Sequence, residues 1–341
     1  MERGTAEAII NRTVTFNSTM MTSSIATPEL DFQPSLEKLA AIAHPTDFIV
    51  SGFLRASRTF KVYEAVFKAL GVEGTYLPCE IPRISETLGN SSHFNEVMDV
   101  VRQNKNIRSL VISDPYKILA YENIKARAAD RLTQSAIDCG AVNLIIRENE
   151  RLVGSNIDGR AFQMGLAEVF PDARPKDIAI IGCGGVGSAV AIALAPNARS
   201  MVIVDTQREQ ISNVADKISK ANPLVKVSSV IRPRGADLTE CDLVYNSSGV
   251  GKASAIEGSE FLSPLNLEID ILPANAWIAV DANYTPTKTQ FLIETEKRGA
   301  QIVNGAGHML AFVTQHVGQL IQSELTLASI REIVTRAGVL K

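Results

Sequence analysis

From Thr46 onward, short apolar runs alternate with segments whose apolar residues return every three or four positions, the rhythm of buried strands followed by amphipathic helices. Phe48-Ile49-Val50 reads as a strand. Phe60 to Leu70, with Val62, Ala65, Val66, Ala69 and Leu70 at helical spacing, reads as a helix that Gly71 stops. Thr75 to Ile81 and Ser109 to Ile112 are further strands, with a helix from His93 to Arg102 between them. Val142 to Arg147 and Arg151 to Gly154 form a hairpin around Glu148-Asn149-Glu150. Upstream, Ser35 is placed to cap a short amphipathic run from Leu36 to Ile42.

A second series begins at Ile178-Ala179-Ile180-Ile181, a buried parallel-strand pattern that runs into glycines and then a helix from Ser188 to Leu194. Met201 to Val204 follows as a strand, then a helix from Glu209 to Ala221 and strands at Val225 to Val230, Asp242 to Tyr245 and Ile278 to Asp281. A helix from Thr289 to Arg298 and a strand Gln301 to Val303 complete the series, and residues 306 to 341 read as wholly helical. The fold class is therefore α/β, an N-terminal α/β substrate domain plus a doubly wound (Rossmann) dinucleotide-binding domain. The expected boundaries are an N-terminal extension at 1–33, a substrate-binding and catalytic domain at 34–160, a dinucleotide-binding domain at 161–305, and C-terminal helices at 306–341 packing back on the substrate domain.

Composition narrows the partners. The 341 residues exceed the size at which one core stops growing, and the hydrophobic share of 45% with a charged share of 21% is that of an ordinary globule. Lys+Arg 34 against Asp+Glu 37 gives a net charge of -3, with no basic excess for a nucleic acid. No apolar run approaches the ~20 residues of a membrane span, so no membrane partner is expected. Cys79, Cys139, Cys183 and Cys241 are scattered singly, without metal-ligand spacing, which suits reduced thiols in a cytoplasmic protein and predicts no metal site. Residues 1 to about 30 are rich in Ser, Thr and Asn without periodicity and are expected to be mostly disordered, with Met20 or Met21 as alternative starts. Arg3 and Arg12 among hydroxyl residues fit a transit peptide, whereas Glu2 and Glu7 oppose one.

The glycine segment carries the first chemistry. Gly182 allows a tight turn, Gly184 lets the backbone approach a pyrophosphate, and Gly187 lets the helix lie close on its strand. The helix N-terminus then faces the anion, so Gly182, Gly184, Gly185, Val186 and Gly187 form a phosphate cradle. Asp205 ends the next strand about 20 residues on, where a ribose-binding acid belongs, and the implied ligand is a nicotinamide dinucleotide. A carboxylate there accepts both ribose hydroxyls of NAD and repels the 2′-phosphate of NADP, so NAD is expected and NADP disfavoured. The alternative use of Asp205 is to cap the helix beginning near Thr206.

Four further groups stand in an informative order: Ser113-Asp114-Pro115-Tyr116-Lys117, Gly140-Ala141-Val142-Asn143, Gly154-Ser155-Asn156-Ile157-Asp158-Gly159, and Asp281-Ala282-Asn283-Tyr284-Thr285-Pro286 running on to Thr289. In these motifs the chain resembles the shikimate dehydrogenase family from about residue 48 to its end. That resemblance implies hydride transfer between a nicotinamide cofactor and the hydroxyl or keto group of a cyclic polyhydroxy acid of the shikimate or quinate type. Such a reaction needs a group that takes the proton of the alcohol and polarises the carbonyl formed. The resemblance makes Lys117 and Asp158 that catalytic pair, although a lysine after Pro-Tyr and an aspartate before glycine are ordinary surface and turn residues by themselves.

By the same resemblance, Ser57 and Thr59 of Ser57-Arg58-Thr59 grip the carboxylate, with Tyr63 further along that helix start; a cap role for either hydroxyl is the alternative. Ser113, Asn143, Asn156, Tyr284 and Gln315 are the other expected substrate contacts, and Asn246, Ser247 and Gly305 complete the cofactor contacts. Val111 stands where the family typically has a hydroxyl-binding asparagine, Ile157 replaces a threonine, and Gln315 comes two positions later than the family glutamine. Each change removes a polar partner for a ring hydroxyl, so a differently hydroxylated ring acid is as consistent with the chain as shikimate. The partner is expected to be this small molecule, with the protein a monomer or homodimer. Two other classes share parts of the pattern. A cofactor-binding regulatory protein without catalysis is disfavoured by Lys117 and Asp158, and a methyltransferase is disfavoured by Asp205 and the upstream lysine motif.

Overall fold

Strand periodicity sorts side chains onto two faces of each sheet, and this decides where helices lie. The computed structural model describes residues 31–52, 54, 59–84, 89–231, 236–252, 258, 262–264, 269–274 and 276–339. Residues 1–30, for which the sequence predicts disorder, and Ser57 with Arg58 lie outside them.

The first half consists of α1 (Leu36–Ala40), β1 (Thr46–Ser51), α2 (Thr59–Leu70), β2 (Thr75–Glu80), α3 (Ser91–Gln103), β3 (Ile107–Ile112), α4 (Lys117–Lys125), β4 (Arg131–Leu132), α5 (Gln134–Cys139), β5 (Leu144–Glu148), β6 (Arg151–Ser155) and α6 (Asp158–Val169). Its six strands run in the order β2-β1-β3-β5-β6-β4. The β1 strand pairs in parallel with β2 and β3, whereas β5 is antiparallel to β3 and to β6. Successive residues of β1 serve opposite cores. Phe48 and Val50 face α1, α3 and α4, and Ile49 faces α2 and the C-terminal helices.

The second half consists of β7 (Asp177–Ile181), α7 (Gly185–Leu194), β8 (Ser200–Asp205), α8 (Arg208–Ala221), β9 (Lys226–Ile231), β10 (Leu243–Asn246), β11 (Ile278–Asp281), α9 (Gln290–Lys297), β12 (Gln301–Val303), α10 (Ala306–Leu320) and α11 (Leu327–Arg336). Its six strands, all parallel, run β12-β11-β10-β7-β8-β9. This is a doubly wound order whose direction of winding reverses between β7 and β10, the place where such sheets open a ligand crevice. Ile178 and Ile180 join the core under α6, α7 and α8, while Ala179 and Ile181 join the core that holds Trp277 and Phe291.

The C-terminal segment is not wholly helical. Residues 321–326 break it, with Gln322 at φ 52, before Thr326 caps α11 by accepting from the Ser329 amide at 3.1 Å. Leu310, Val313 and Val317 of α10 and Ile330 and Val334 of α11 share one core with Ile49, Val111 and α2 of the first sheet. Among the described residues, no helix is long and apolar enough to cross a membrane, and no group of three or more His, Cys, Asp or Glu is placed to hold a metal.

Candidate active site

Lys117 is the first residue of α4, and Tyr116 before it fixes where that helix starts. The Tyr116 ring is buried and stacked on Phe94 with centroids 5.2 Å apart, and its hydroxyl donates to the Ile81 carbonyl at 2.8 Å. Asp158 is the first residue of α6. A pair of buried asparagines holds the turn before it: Asn143 Nδ2 donates to Asn156 Oδ1 (3.1 Å), which also accepts from the Asp158 amide (3.2 Å), and Asn143 Oδ1 accepts from the Ile157 amide (3.0 Å). Gly159 brings α6 against α7, since a Cβ there would lie 2.7 Å from the Ala189 carbonyl oxygen.

These supports bring Lys117 Nζ to 2.6 Å from Asp158 Oδ2, with both side chains largely buried. Burial alone would raise the pKa of Asp158, but the Lys117 charge and His308 outweigh it and hold this carboxyl well below the usual carboxylate range. On the other side of the carboxylate, His308 Nε2 lies 3.7 Å from Oδ1. The pair faces a cleft of about 210 Å³, lined on one side by Thr59, Ser113 and Asn143 and on the other by Val186, Tyr284 and Gly305. The cleft therefore joins the expected substrate residues of the first sheet to the glycine turn of the second.

Gly182 takes φ +95, and a Cβ on Gly187 would strike the Gly182 carbonyl and the Ser247 hydroxyl, so both positions need glycine. At Gly184 a Cβ would meet nothing within 4 Å, which leaves the space before the turn open, and α7 begins there without a side-chain cap on its amides. Gly185 has a different neighbour: a Cβ there would lie 2.9 Å from Lys117 Cδ, so the missing side chain makes room for the lysine. Asp205 ends β8 and is not the cap of α8, whose first flanking residue is Gln207. Its Oδ1 accepts from the Gln207 amide (2.9 Å) and its Oδ2 from the Cys183 amide (2.6 Å), tying β8 to the glycine turn. Asn246 and Ser247 act inside the protein: Asn246 Nδ2 donates to Asp281 and its Oδ1 accepts from Ser248, while the Ser247 hydroxyl donates to the Gly182 carbonyl at 2.8 Å. Gly305 lines the cleft, and any side chain there would strike the Ala282 carbonyl.

Three expectations need correction. Asn156 is not among the cleft-lining residues; its Oδ1 accepts from Asn143 and the Asp158 amide and its Nδ2 donates to the Ala141 carbonyl, as a buried polar group requires. Gln315 also lies outside it, two turns beyond His308 and about 10 Å further along the axis, where its Nε2 donates to the Ala311 carbonyl at 3.3 Å. Ile157 is packed in the core with Val111 and Leu310 instead of facing the cleft. Sequence reasoning missed His308, Met309, Phe312 and Val313, which α10 presents to the cleft. The available signal was the displaced glutamine, because two positions before Gln315 stands Val313.

A model of the shikimate dehydrogenase substrate binding domain matches residues 49–145. The shikimate dehydrogenase (NADP(+)) of Alkaliphilus oremlandii is 26% identical over 270 residues, covering 77% of this chain and 86% of that enzyme. Over its substrate-binding half, and more weakly along most of its length, the chain is similar to the shikimate dehydrogenase family. The fold matches shikimate 5-dehydrogenase from Listeria monocytogenes, solved with shikimate and NAD, at a TM-score of 0.71 and 23% identity over 85% of this chain and 96% of that one. Quinate dehydrogenase from Corynebacterium glutamicum, solved with NAD, aligns with a TM-score of 0.70 and 21% identity over 86% of this chain and 99% of that one.

Proposed function

We propose that this protein is an NAD-dependent oxidoreductase acting on the ring hydroxyl or keto group of a cyclic hydroxy acid, with Lys117 and Asp158 as its acid-base pair. The observation that carries this reading is the 2.6 Å Lys117–Asp158 contact in a cleft bounded by both the glycine turn and Asn143.

The open space at Gly184, the uncapped start of α7 and the acid at Asp205 fit a dinucleotide. Gly182 to Gly187 would take its phosphates and Asp205 its ribose hydroxyls, each carboxylate oxygen accepting a hydroxyl beside the amide it already holds. A nicotinamide bound there supplies the hydride acceptor or donor. Everything else falls to the chain. Lys117, in its amine form, takes the proton of the ring hydroxyl as that carbon is oxidised, and returns it in the reverse direction. Asp158 fixes the lysine and stays anionic. Thr59, at the N-terminus of α2, would take the carboxylate, and Asn143 and Tyr284, which line the same cleft, ring oxygens.

Part of the cleft lining is apolar, formed by Ile49, Val111, Met309, Phe312 and Val313, which pack in one core. This favours a ring acid with fewer hydroxyls on the face that meets these residues, because a buried hydroxyl without a partner costs about 1–3 kcal/mol. Incubating the protein with NAD and a panel of ring acids, shikimate, quinate and their deoxy analogues, tests the reading by the absorbance of reduced nicotinamide. Oxidation of at least one ring acid is expected; no turnover with any of them in either direction, with NAD or NADP, contradicts it.

A further inference from the structure

The α6 and α10 helices cross where both have glycine. A Cβ on Gly165 would lie 2.7 Å from the Gly307 carbonyl carbon and 2.8 Å from the His308 amide, so the two backbones approach too closely here for any side chain at 165. This approach carries His308, in the first turn of α10, over the first turn of α6. Its ring stands edge-on to Phe162 with centroids 6.2 Å apart, and its Nε2 points to the Asp158 oxygen that Lys117 does not use. Lys117 and His308 thus flank one buried carboxylate, and both line the cleft.

We propose that His308 is a positioning residue of the acid-base site, whose charge sets how strongly Asp158 holds the Lys117 ammonium. This rests on the reading of Lys117 as the acid-base group. With a neutral imidazole the trio of Lys117, Asp158 and His308 is balanced, and the carboxylate belongs to the lysine. With an imidazolium the trio carries one excess positive charge at short range in a poorly solvated cleft, and Lys117 gives up its proton more readily. Acid conditions therefore favour delivery of the proton to a ring ketone. Among the described residues, the other groups facing His308 are few. From α11 the Arg331 guanidinium comes within 3.7 Å of where a Gly307 Cβ would lie, but it is paired with Glu168 of α6 at 2.6 Å and 2.5 Å. From β10 the Tyr245 phenol, pushed well up by burial and by the neighbouring Asp158 and Asp281, stays neutral. The N-terminus of α10 itself opposes a cation at His308, which leaves Asp158 as the group that favours one.

The test compares wild type with His308→Gln, which keeps an N–H donor and removes the charge, and Gly165→Ala, which parts the helices with the imidazole intact. Without substrate, acylation of Lys117 by acetic anhydride is followed by peptide mass spectrometry. At about pH 6 wild-type Lys117 is expected to react about threefold or more faster than in either variant, and the gap is expected to close by about pH 8. In the ketone-reduction assay, kcat/KM of wild type is expected to climb more steeply toward acid than that of His308→Gln. Equal Lys117 reactivity at both pH values in all three folded proteins overturns the proposal. That outcome is separate from a failure to find a ring-acid substrate, because the acylation needs none.

Discussion

Nζ of Lys117 and Oδ2 of Asp158 stand 2.6 Å apart, each on the first residue of its helix. The two positions are not equivalent. A helix start welcomes the carboxylate and opposes the ammonium, so the lysine is held at this place by the aspartate and not by its own helix. Asn156, itself held by Asn143, fixes the Asp158 backbone amide at that helix start.

The lowered pKa of Asp158 has a thermodynamic consequence. Its folded value lies below that of an unfolded aspartate, so its stabilisation is fully present above about pH 4 and is lost as pH falls through the folded value. Asp158→Asn should lower stability at neutral pH by about 3 kcal/mol, the usual cost of leaving one partner of a buried pair. In denaturant titrations the gap between wild type and variant should narrow below about pH 4; a constant gap into strong acid would show that the carboxylate is not the source.

Val111 and Val313 belong to the apolar part of the cleft lining, and replacing them with Val111→Asn and Val313→Gln offers partners to ring hydroxyls. The double variant should gain about tenfold in kcat/KM for shikimate relative to the best wild-type substrate, one good hydrogen bond's worth. An unchanged ratio would place hydroxyl recognition elsewhere.

Asp205 holds the Cys183 and Gln207 amides and has lone pairs left for a ribose. Wild type should prefer NAD by at least about tenfold in kcat/KM, and Asp205→Ala should shrink the preference mainly by improving NADP use. Equal use of the two cofactors by wild type contradicts this role.

Much of the fold was legible because buried strands are short, apolar and β-branched. The expected Ile278 to Asp281 and Gln301 to Val303 coincide with β11 and β12, and Ser35 caps α1 by accepting from Lys38. The α6 helix was not legible. Gly159 and Gly165 look like loop residues in sequence, and only the structure shows that they are there to admit α7 and α10. The displaced glutamine marked α10 as altered but could not single out His308, whose partner Asp158 is 150 residues away in sequence and is met through that glycine crossing. Gln315 falls outside the cleft lining because a helix position two residues late points to a different part of the molecule.

The acid-base assignment is tested most directly by the turnover of Lys117→Ala on the best ring acid, measured beside its affinity for NAD. A loss of roughly 10²–10⁴ in kcat is expected, with the dissociation constant for NAD within about twofold of wild type, because the Lys117 side chain meets the glycine turn at Gly185, beside the open phosphate space at Gly184. Wild-type kcat in a folded Lys117→Ala protein would contradict it.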